Sequence, residues 1–358
     1  MAVSKSKAKE HRPKVAMVTG ASGFIGSHVV RLLLDEGVKV RALVRKGDPL
    51  NNLYGLDVER VEGDLLDVES LKACLEGCDT VFHLAAIYAY WLPDPSVMYR
   101  VNIMGTRNLL EASLDAGIKK VVYTSSIAAI GTVEGQEMAN EDTIFNNWLL
   151  ADHYVMSKYM AELEALSFNT KGLDVVAALP TFPFGSLDIA PTPTGVLIQR
   201  YMDGHNPVWL PGGFNGANVK DVARGHWLAC LRGRPGERYI FGGHNLTYKD
   251  FGMMVCDMAG VKRPTKEAST KMLTVIGRMC EWVADNITHK EPLVVDKAIQ
   301  YTSGRYLWFD LSKAKNELGY EPTPIEEALK ESVAWFSEGR DDSLSKEDTV
   351  VMKSAAVG

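Results

Sequence analysis

The sequence is poor in cysteine, in positive charge and in long apolar runs, and each shortage excludes a class of protein. Five cysteines, Cys74, Cys78, Cys230, Cys256 and Cys280, are few and odd in number for 358 residues. They make no disulfide framework of the kind that staples small secreted domains. Cys74 and Cys78 stand four apart at an expected helix end with no second ligand pair, and they read as buried free thiols. The histidines show no H-E-x-x-H or comparable spacing, so no metal site is expected. Lys and Arg total 39 against 45 Asp and Glu, a formal charge of −6, whereas a dedicated nucleic-acid binder usually carries a basic face. No apolar run reaches the roughly 18–20 residues of a membrane span. Residues 1–12 hold Lys5, Lys7, Lys9 and Arg12 and no apolar stretch, so they read as a disordered tail rather than a signal peptide. Residues 339–358 read as a second flexible tail, and the expected setting is cytoplasmic.

What is present is ordinary for a folded chain: 46% hydrophobic and 23% charged residues. The length suits two lobes or one large α/β unit. Short apolar runs at 14–19, 38–45, 58–62, 80–85, 120–125 and 174–179 alternate with helical patterns at 24–36, 68–75, 96–116 and 152–170. Strict alternation predicts an α/β fold, a doubly wound parallel sheet of the Rossmann type, whose strands are buried on both faces. After Pro180 the chain becomes rich in turn residues, with Pro183, Pro191, Pro193, Pro207 and Pro211. Short helices are expected at 251–259, 272–286, 311–317 and 325–336. The expected division is a dinucleotide-binding domain at 13–180, with a return segment at 218–245. A smaller substrate-binding lobe from 181–217 and 246–338 lies over the carboxyl edge of the sheet, where such folds bind ligands.

The loop Gly20-Ala21-Ser22-Gly23-Phe24-Ile25-Gly26 directly follows the first strand and opens a helix. Gly20 permits the turn, Gly23 allows backbone to approach a pyrophosphate, and Gly26 lets helix and strand pack closely. The helix start offers N–H groups to phosphates. No acid stands at the end of the second strand to take ribose hydroxyls; Arg45 and Lys46 follow it instead. A guanidinium matches a 2′-phosphate in charge and geometry, which favours NADP(H), with NAD(H) as the alternative. Asp64, beside Leu65 at the end of the third strand, is placed to accept from an adenine amino group, and Leu84, Ala85 and Ala86 leave room for a cofactor after the fourth. Tyr154 and Lys158 are four apart and share a helix face. A lysine ammonium beside a phenol favours the phenolate; Lys158 also reaches a nicotinamide ribose, and Tyr154 exchanges a proton with a carbonyl or alcohol oxygen. Tyr123-Thr124-Ser125-Ser126 ends the preceding strand and supplies a hydroxyl for the same oxygen.

On these pieces the chain resembles the extended short-chain dehydrogenase/reductases of the NAD-dependent epimerase/dehydratase family, over roughly 13–338. The matching segments are TGASGFIG, GDL, HLAA, VNIMGTRNLLEA, YTSS, YVMSK and VKDVARGH. VRALVRKGDP, YAYWLPDP, DIAPTPTG and GERYIFGGHNLT look most like the dihydroflavonol-reductase-like branch and the hopanoid-associated sugar epimerase group. The resemblance implies Ser126, Tyr154 and Lys158 as the catalytic set and Arg45 as the 2′-phosphate contact. It implies that Asn102 faces the cofactor, that Pro180 begins the loop at the nicotinamide carboxamide, and that the protein is a homodimer. Where sugar-nucleotide members carry R-P-x-N-x-Y-G, this chain reads Leu179-Pro180-Thr181-Phe182-Pro183-Phe184-Gly185, which argues against a nucleotide sugar. No acid follows Ser126, where dehydratases carry one.

Ile87, Tyr88 and Trp91 after the fourth strand, with Phe182, Pro183 and Phe184 opposite, make an apolar mouth suited to a hydrophobic ligand. The expected activity is reduction of a carbonyl, or oxidation of the alcohol, of a hydrophobic, sterol-like or polycyclic small molecule. The alternatives are a sugar epimerase or dehydratase and a non-catalytic cofactor sensor of the same fold. The apolar stripe at 272–286 reads foremost as an ordinary packed amphipathic helix, and secondarily as a pocket cap or a peripheral membrane contact.

Overall fold

The computed structural model describes residues 10–89, 91–204, 208–288 and 296–341. Strand β1 (Val15–Thr19) leads through the glycine loop into α1 (Phe24–Asp35), then β2 (Lys39–Val44), β3 (Glu59–Glu62), α2 (Val68–Leu75) and β4 (Thr80–His83). The chain continues through α3 (Ser96–Tyr99), α4 (Thr106–Asp115), β5 (Lys120–Thr124), α5 (His153–Ser167) and β6 (Asp174–Pro180). Beyond it come β7 (Phe182–Phe184), α6 (Pro193–Met202), β8 (Val208–Trp209), β9 (Gly213–Asn218), α7 (Val219–Arg232) and β10 (Arg238–Phe241). The last elements are β11 (His244–Thr247), α8 (Tyr248–Ala259), β12 (Lys266–Glu267), α9 (Thr270–Val283), α10 (Asp296–Thr302), β13 (Tyr306–Leu307), α11 (Ser312–Leu318) and α12 (Ile325–Asp341).

Seven strands form one all-parallel sheet in the order β10-β6-β5-β4-β1-β2-β3. Its central strands read VAMVT, TVFH, KVVYT and DVVAALP and are almost wholly buried, because helices cover both faces. The edge strand β3 reads ERVE and is largely exposed, as suits an unpaired rim. The strand order reverses between β1 and β4, and the crevice above their carboxyl ends is where a doubly wound sheet holds its ligand. The chain leaves this sheet at Thr181: β7 pairs instead with β9, which also carries β11 and β13 in a second, smaller sheet.

The expected helix at 96–116 is interrupted by a π-helical turn at Arg100–Gly105, whose Asn102 carbonyl accepts from the Thr106 hydroxyl at 2.7 Å. Helices α6, α7 and α10 were not anticipated from periodicity. Of the expected tail, residues 10–12 are not loose. The His11 ring bonds the Thr80 hydroxyl at 2.8 Å, the His11 backbone N–H donates to the Leu231 carbonyl, and the adjoining Pro13 is buried. Residues 1–9 of that expectation lie outside the described residues. At the other end α12 runs to Asp341, past the expected start of the tail, and 342–358 lie outside the described residues. Cys74, Cys78, Cys230 and Cys256 are buried free thiols, and Cys280 is half-buried. Phe184 is core rather than pocket, packed 5.0 Å from Phe251 and 5.8 Å from Phe214 between ring centres. The stripe on α9 is not packed inward: Met279 and Trp282 are 65% and 60% exposed.

Candidate active site

Backbone crowding dictates the glycine loop. Gly20 has φ +66°, and a Cβ there would lie 2.7 Å from the Ala85 nitrogen. A Cβ on Gly26 would collide with the Gly20 carbonyl oxygen, so α1 can approach β1 only without one. Gly23, the residue before α1, supplies no side-chain cap, which leaves the first N–H groups of the helix for a ligand.

A chain of hydrogen bonds fixes the floor beside it. The Thr19 hydroxyl accepts from the Leu84 and Ala85 N–H groups at 3.2 and 3.1 Å, so its own proton goes to His83 Nδ1 at 2.8 Å. His83 Nε2–H then donates to Thr106 Oγ1 at 2.9 Å. Burial pushes the His83 imidazole down to about 3, so it stays neutral and structural. The Asn102 amide holds the Ile87 backbone, accepting from its N–H at 2.7 Å and donating to its carbonyl at 3.0 Å; it also donates to the Ser157 hydroxyl. Its polar atoms thus brace the β4 loop against α5.

Asp152 caps α5 by accepting from the Val155 N–H at 2.8 Å, which puts Tyr154 in the first turn and Lys158 one turn later. Lys158 Nζ donates to the Thr124 carbonyl at 2.7 Å and lies 3.5 Å from the Tyr123 hydroxyl. Burial lowers Lys158 to about 8, opposed by the Glu162 carboxylate one turn on. Glu162 is itself raised by burial, against the Arg238 guanidinium 2.9 Å away. Burial pushes Tyr154 up to about 12, opposed by its hydrogen bond with the Ser126 side chain. Ser126 Oγ accepts from the Ala128 N–H at 3.1 Å, and so starts the turn at Ile127–Ala129. The Thr124 hydroxyl donates to His226 Nε2 at 2.9 Å, because His226 Nδ1 is taken by the Val222 carbonyl.

The glycine loop, the turn after β4, the end of β5 and the start of α5 wall a cavity of about 290 Å³. Of the expected cofactor residues, Gly20, Gly23, Phe24, Ile25, Gly26, Leu84, Ala85, Ala86, Thr124, Tyr154, Lys158 and Pro180 line it. Ser22, Arg45, Lys46, Asp64, Leu65 and Asn102 do not. Arg45 Nη2 instead meets Asp48 at 3.1 Å, a carboxylate that the sequence reading passed over. Asp64 is exposed and accepts from the Leu66 N–H at 2.7 Å, while Leu65 is buried against Gly105. Of the expected substrate residues, Tyr88, Ser126, Phe182 and Pro183 line the cavity, whereas Ile87 and Trp91 stand off it. The Tyr88 ring lies 4.6 Å from that of Tyr154.

The sequence reading gave no role to several wall residues, among them Thr181, Thr192, Thr194, Tyr301 and Thr302. Thr181 and Tyr301 carry buried hydroxyls with no hydrogen-bond partner among the described residues. Tyr301 comes from α10, far along the chain, with no spacing that ties it to Tyr154. Lys158 is the one charged side chain on the described wall.

Comparison with known proteins agrees with this architecture. The model of the NAD dependent epimerase/dehydratase family matches residues 16–242. A protein of Synechocystis sp. named dihydroflavonol 4-reductase is 37% identical over 326 residues, covering 89% of this chain and 93% of its own. Sterol demethylase protein B of Methylococcus capsulatus is 31% identical over 326 residues, covering 90% and 98%. The crystal structure of gox2253 superposes with a TM-score of 0.81 at 39% identity, covering 91% of this chain and 98% of that one.

Proposed function

The chain belongs to the NAD-dependent epimerase/dehydratase family, and from that membership we propose that it is an NADP(H)-dependent oxidoreductase. It reduces a carbonyl, or oxidises the corresponding alcohol, of a hydrophobic, sterol-like or polycyclic small molecule. The observation that carries this reading is one cavity whose wall holds Ser126, Tyr154 and Lys158 together, joins the glycine loop, and is otherwise uncharged among the described residues. A nucleotide sugar needs cations for its diphosphate; an apolar carbonyl compound needs apolar walls and a few placed hydroxyls.

The residues fit a nicotinamide dinucleotide. The Gly20–Gly26 cradle has no space for a Cβ at either end, the start of α1 is uncapped by any side chain, and the Thr181 hydroxyl has no partner among the described residues. Gly20, Ser22, Gly23, Phe24, Ile25 and Gly26 would hold the pyrophosphate, with Asp64 and Leu65 at the adenine end. Arg45 and Lys46 would take a 2′-phosphate, whose double charge outcompetes the single Asp48 carboxylate for the guanidinium. Thr124, Pro180 and Lys158 would hold the nicotinamide end. Asn102 contributes by fixing the Ile87 backbone.

When bound, the reduced cofactor would supply the hydride for a carbonyl reduction. Tyr154, held near 12, is fully protonated at neutral pH and donates its proton to the carbonyl oxygen. Ser126 shares the hydrogen bond to that oxygen. The Lys158 ammonium, fixed by the Thr124 carbonyl, stabilises the phenolate left on Tyr154. Tyr88 and Phe182 cover the apolar body of the substrate, and the Tyr301 hydroxyl, which has no partner among the described residues, can bond a polar group of the substrate.

The test is NADPH oxidation against ketones and aldehydes graded in size and polarity. Turnover should be best with bulky apolar carbonyls. Conversion of UDP-sugars without net NADPH consumption, and none of apolar carbonyls, would make the protein an epimerase instead.

A further inference from the structure

Helix α9 and the turn after it present Met272, Val275, Ile276, Met279, Trp282 and Ile287 to solvent, each between 41% and 65% exposed. Its opposite side packs on α10, which carries Tyr301 and Thr302 into the catalytic cavity. At 3.6 residues per turn, the five residues within α9 fall in one arc of about 120°. Lys271 and Arg278, both exposed, border that arc on one side, and Glu281 lies away from it. The approach to the helix repeats this charge bias. Lys262, Arg263, Lys266, Lys271 and Arg278 stand against the single acid Glu267 over residues 262–278, in a chain whose net charge is −6. Arg263 is met by Asp257 at 2.5 Å, and the formal excess over this stretch is four positive charges.

We propose that this face docks on an anionic lipid bilayer, with α9 lying in the headgroup plane and its apolar arc in the acyl boundary. An exposed apolar arc with a tryptophan and a cationic border is what an interfacial helix requires: the arc removes apolar area from water while the cations meet lipid phosphates. A two-fold contact between copies fits less well, because it would set Lys271 and Arg278 of both chains along one seam. Docking brings the element that bears Tyr301 to the membrane surface, so an apolar substrate can pass between bilayer and cavity. Vesicle binding itself does not depend on which carbonyl compound the cavity takes.

The experiment is co-sedimentation of the full chain with vesicles of phosphatidylcholine alone and of phosphatidylcholine mixed equally with phosphatidylglycerol, at low and high salt. The wild type should sediment with the anionic vesicles, and raising the salt should release much of it. Met279→Glu with Trp282→Glu should weaken partitioning by roughly tenfold or more. Lys271→Glu should weaken binding to the anionic vesicles alone, by roughly fivefold. Unchanged NADPH affinity in both variants certifies that they are folded. Wild-type protein left in the supernatant of both vesicle types overturns the proposal. So does equal sedimentation of the wild type and the folded double variant, or a folded double variant that merely turns a dimer into a monomer while the wild type ignores vesicles.

Discussion

Lys158 should set the alkaline limit of catalysis. Its ammonium is buried and held by the Thr124 carbonyl, with the Tyr123 hydroxyl at 3.5 Å. Glu162 is the carboxylate that opposes the loss of its charge, and Arg238 pairs with that carboxylate at 2.9 Å. Burial wins, and Lys158 falls from 10.5 to about 8. At about 1.4 kcal/mol per pH unit, the site disfavours the charged form by roughly 3 kcal/mol. Below about pH 8 the ammonium is present and can stabilise the Tyr154 phenolate; above it the charge is lost, and the rate of carbonyl reduction should fall roughly tenfold per pH unit. Tyr154, held near 12, stays a proton donor across this range. The assay is kcat/KM for NADPH oxidation between about pH 6 and pH 10. Lys158→Met should be slow and should lack the alkaline limb. Lys158→Arg, with whatever activity it retains, should show no fall, because a guanidinium does not deprotonate there. A wild-type profile flat to about pH 10, or the same limb in active Lys158→Arg, would refute the role given to this charge.

Tyr154→Phe keeps the ring against Tyr88 but removes the proton, and kcat should drop by roughly 10²–10⁴-fold with NADPH affinity little changed; full activity in the folded variant would remove the tyrosine from the chemistry. Arg45→Ala should weaken NADPH binding by roughly 1.5–3 kcal/mol and leave NADH binding alone, and isothermal titration showing equal wild-type affinity for both cofactors would defeat the NADP(H) assignment. His83 and His226 are held to about 3 and about 4. The unfolded chain therefore takes up protons below about 6.5 that the native state refuses, and this stability, complete above that value, is lost as pH falls. Each contributes a loss of roughly 2 kcal/mol between pH 7 and pH 5, while Asp188, raised to about 6, works the other way by about 1 kcal/mol. Urea unfolding at the two pH values should show that His226→Gln loses about 2 kcal/mol less than the wild type on acidification; equal losses would refute the buried-neutral reading of His226.

The sheet, the glycine loop and the Tyr154–Lys158 pair were legible in the sequence because each is written in local spacing. Continuous apolar runs mark strands covered on both faces, three glycines mark backbone that must pass other backbone, and a separation of four sets two side chains on one helix face. Proximity between residues distant in the chain has no such period. Whether Asn102 braces Ile87, whether Trp91 or Tyr88 reaches the cavity, and whether the α9 stripe turns inward all depended on how layers and loops pack. Tyr301 is the clearest case: an unremarkable tyrosine in the sequence, it becomes a buried hydroxyl on the cavity wall, without a partner among the described residues, only because α10 folds back over the carboxyl edge of a sheet built mostly by the first half of the chain.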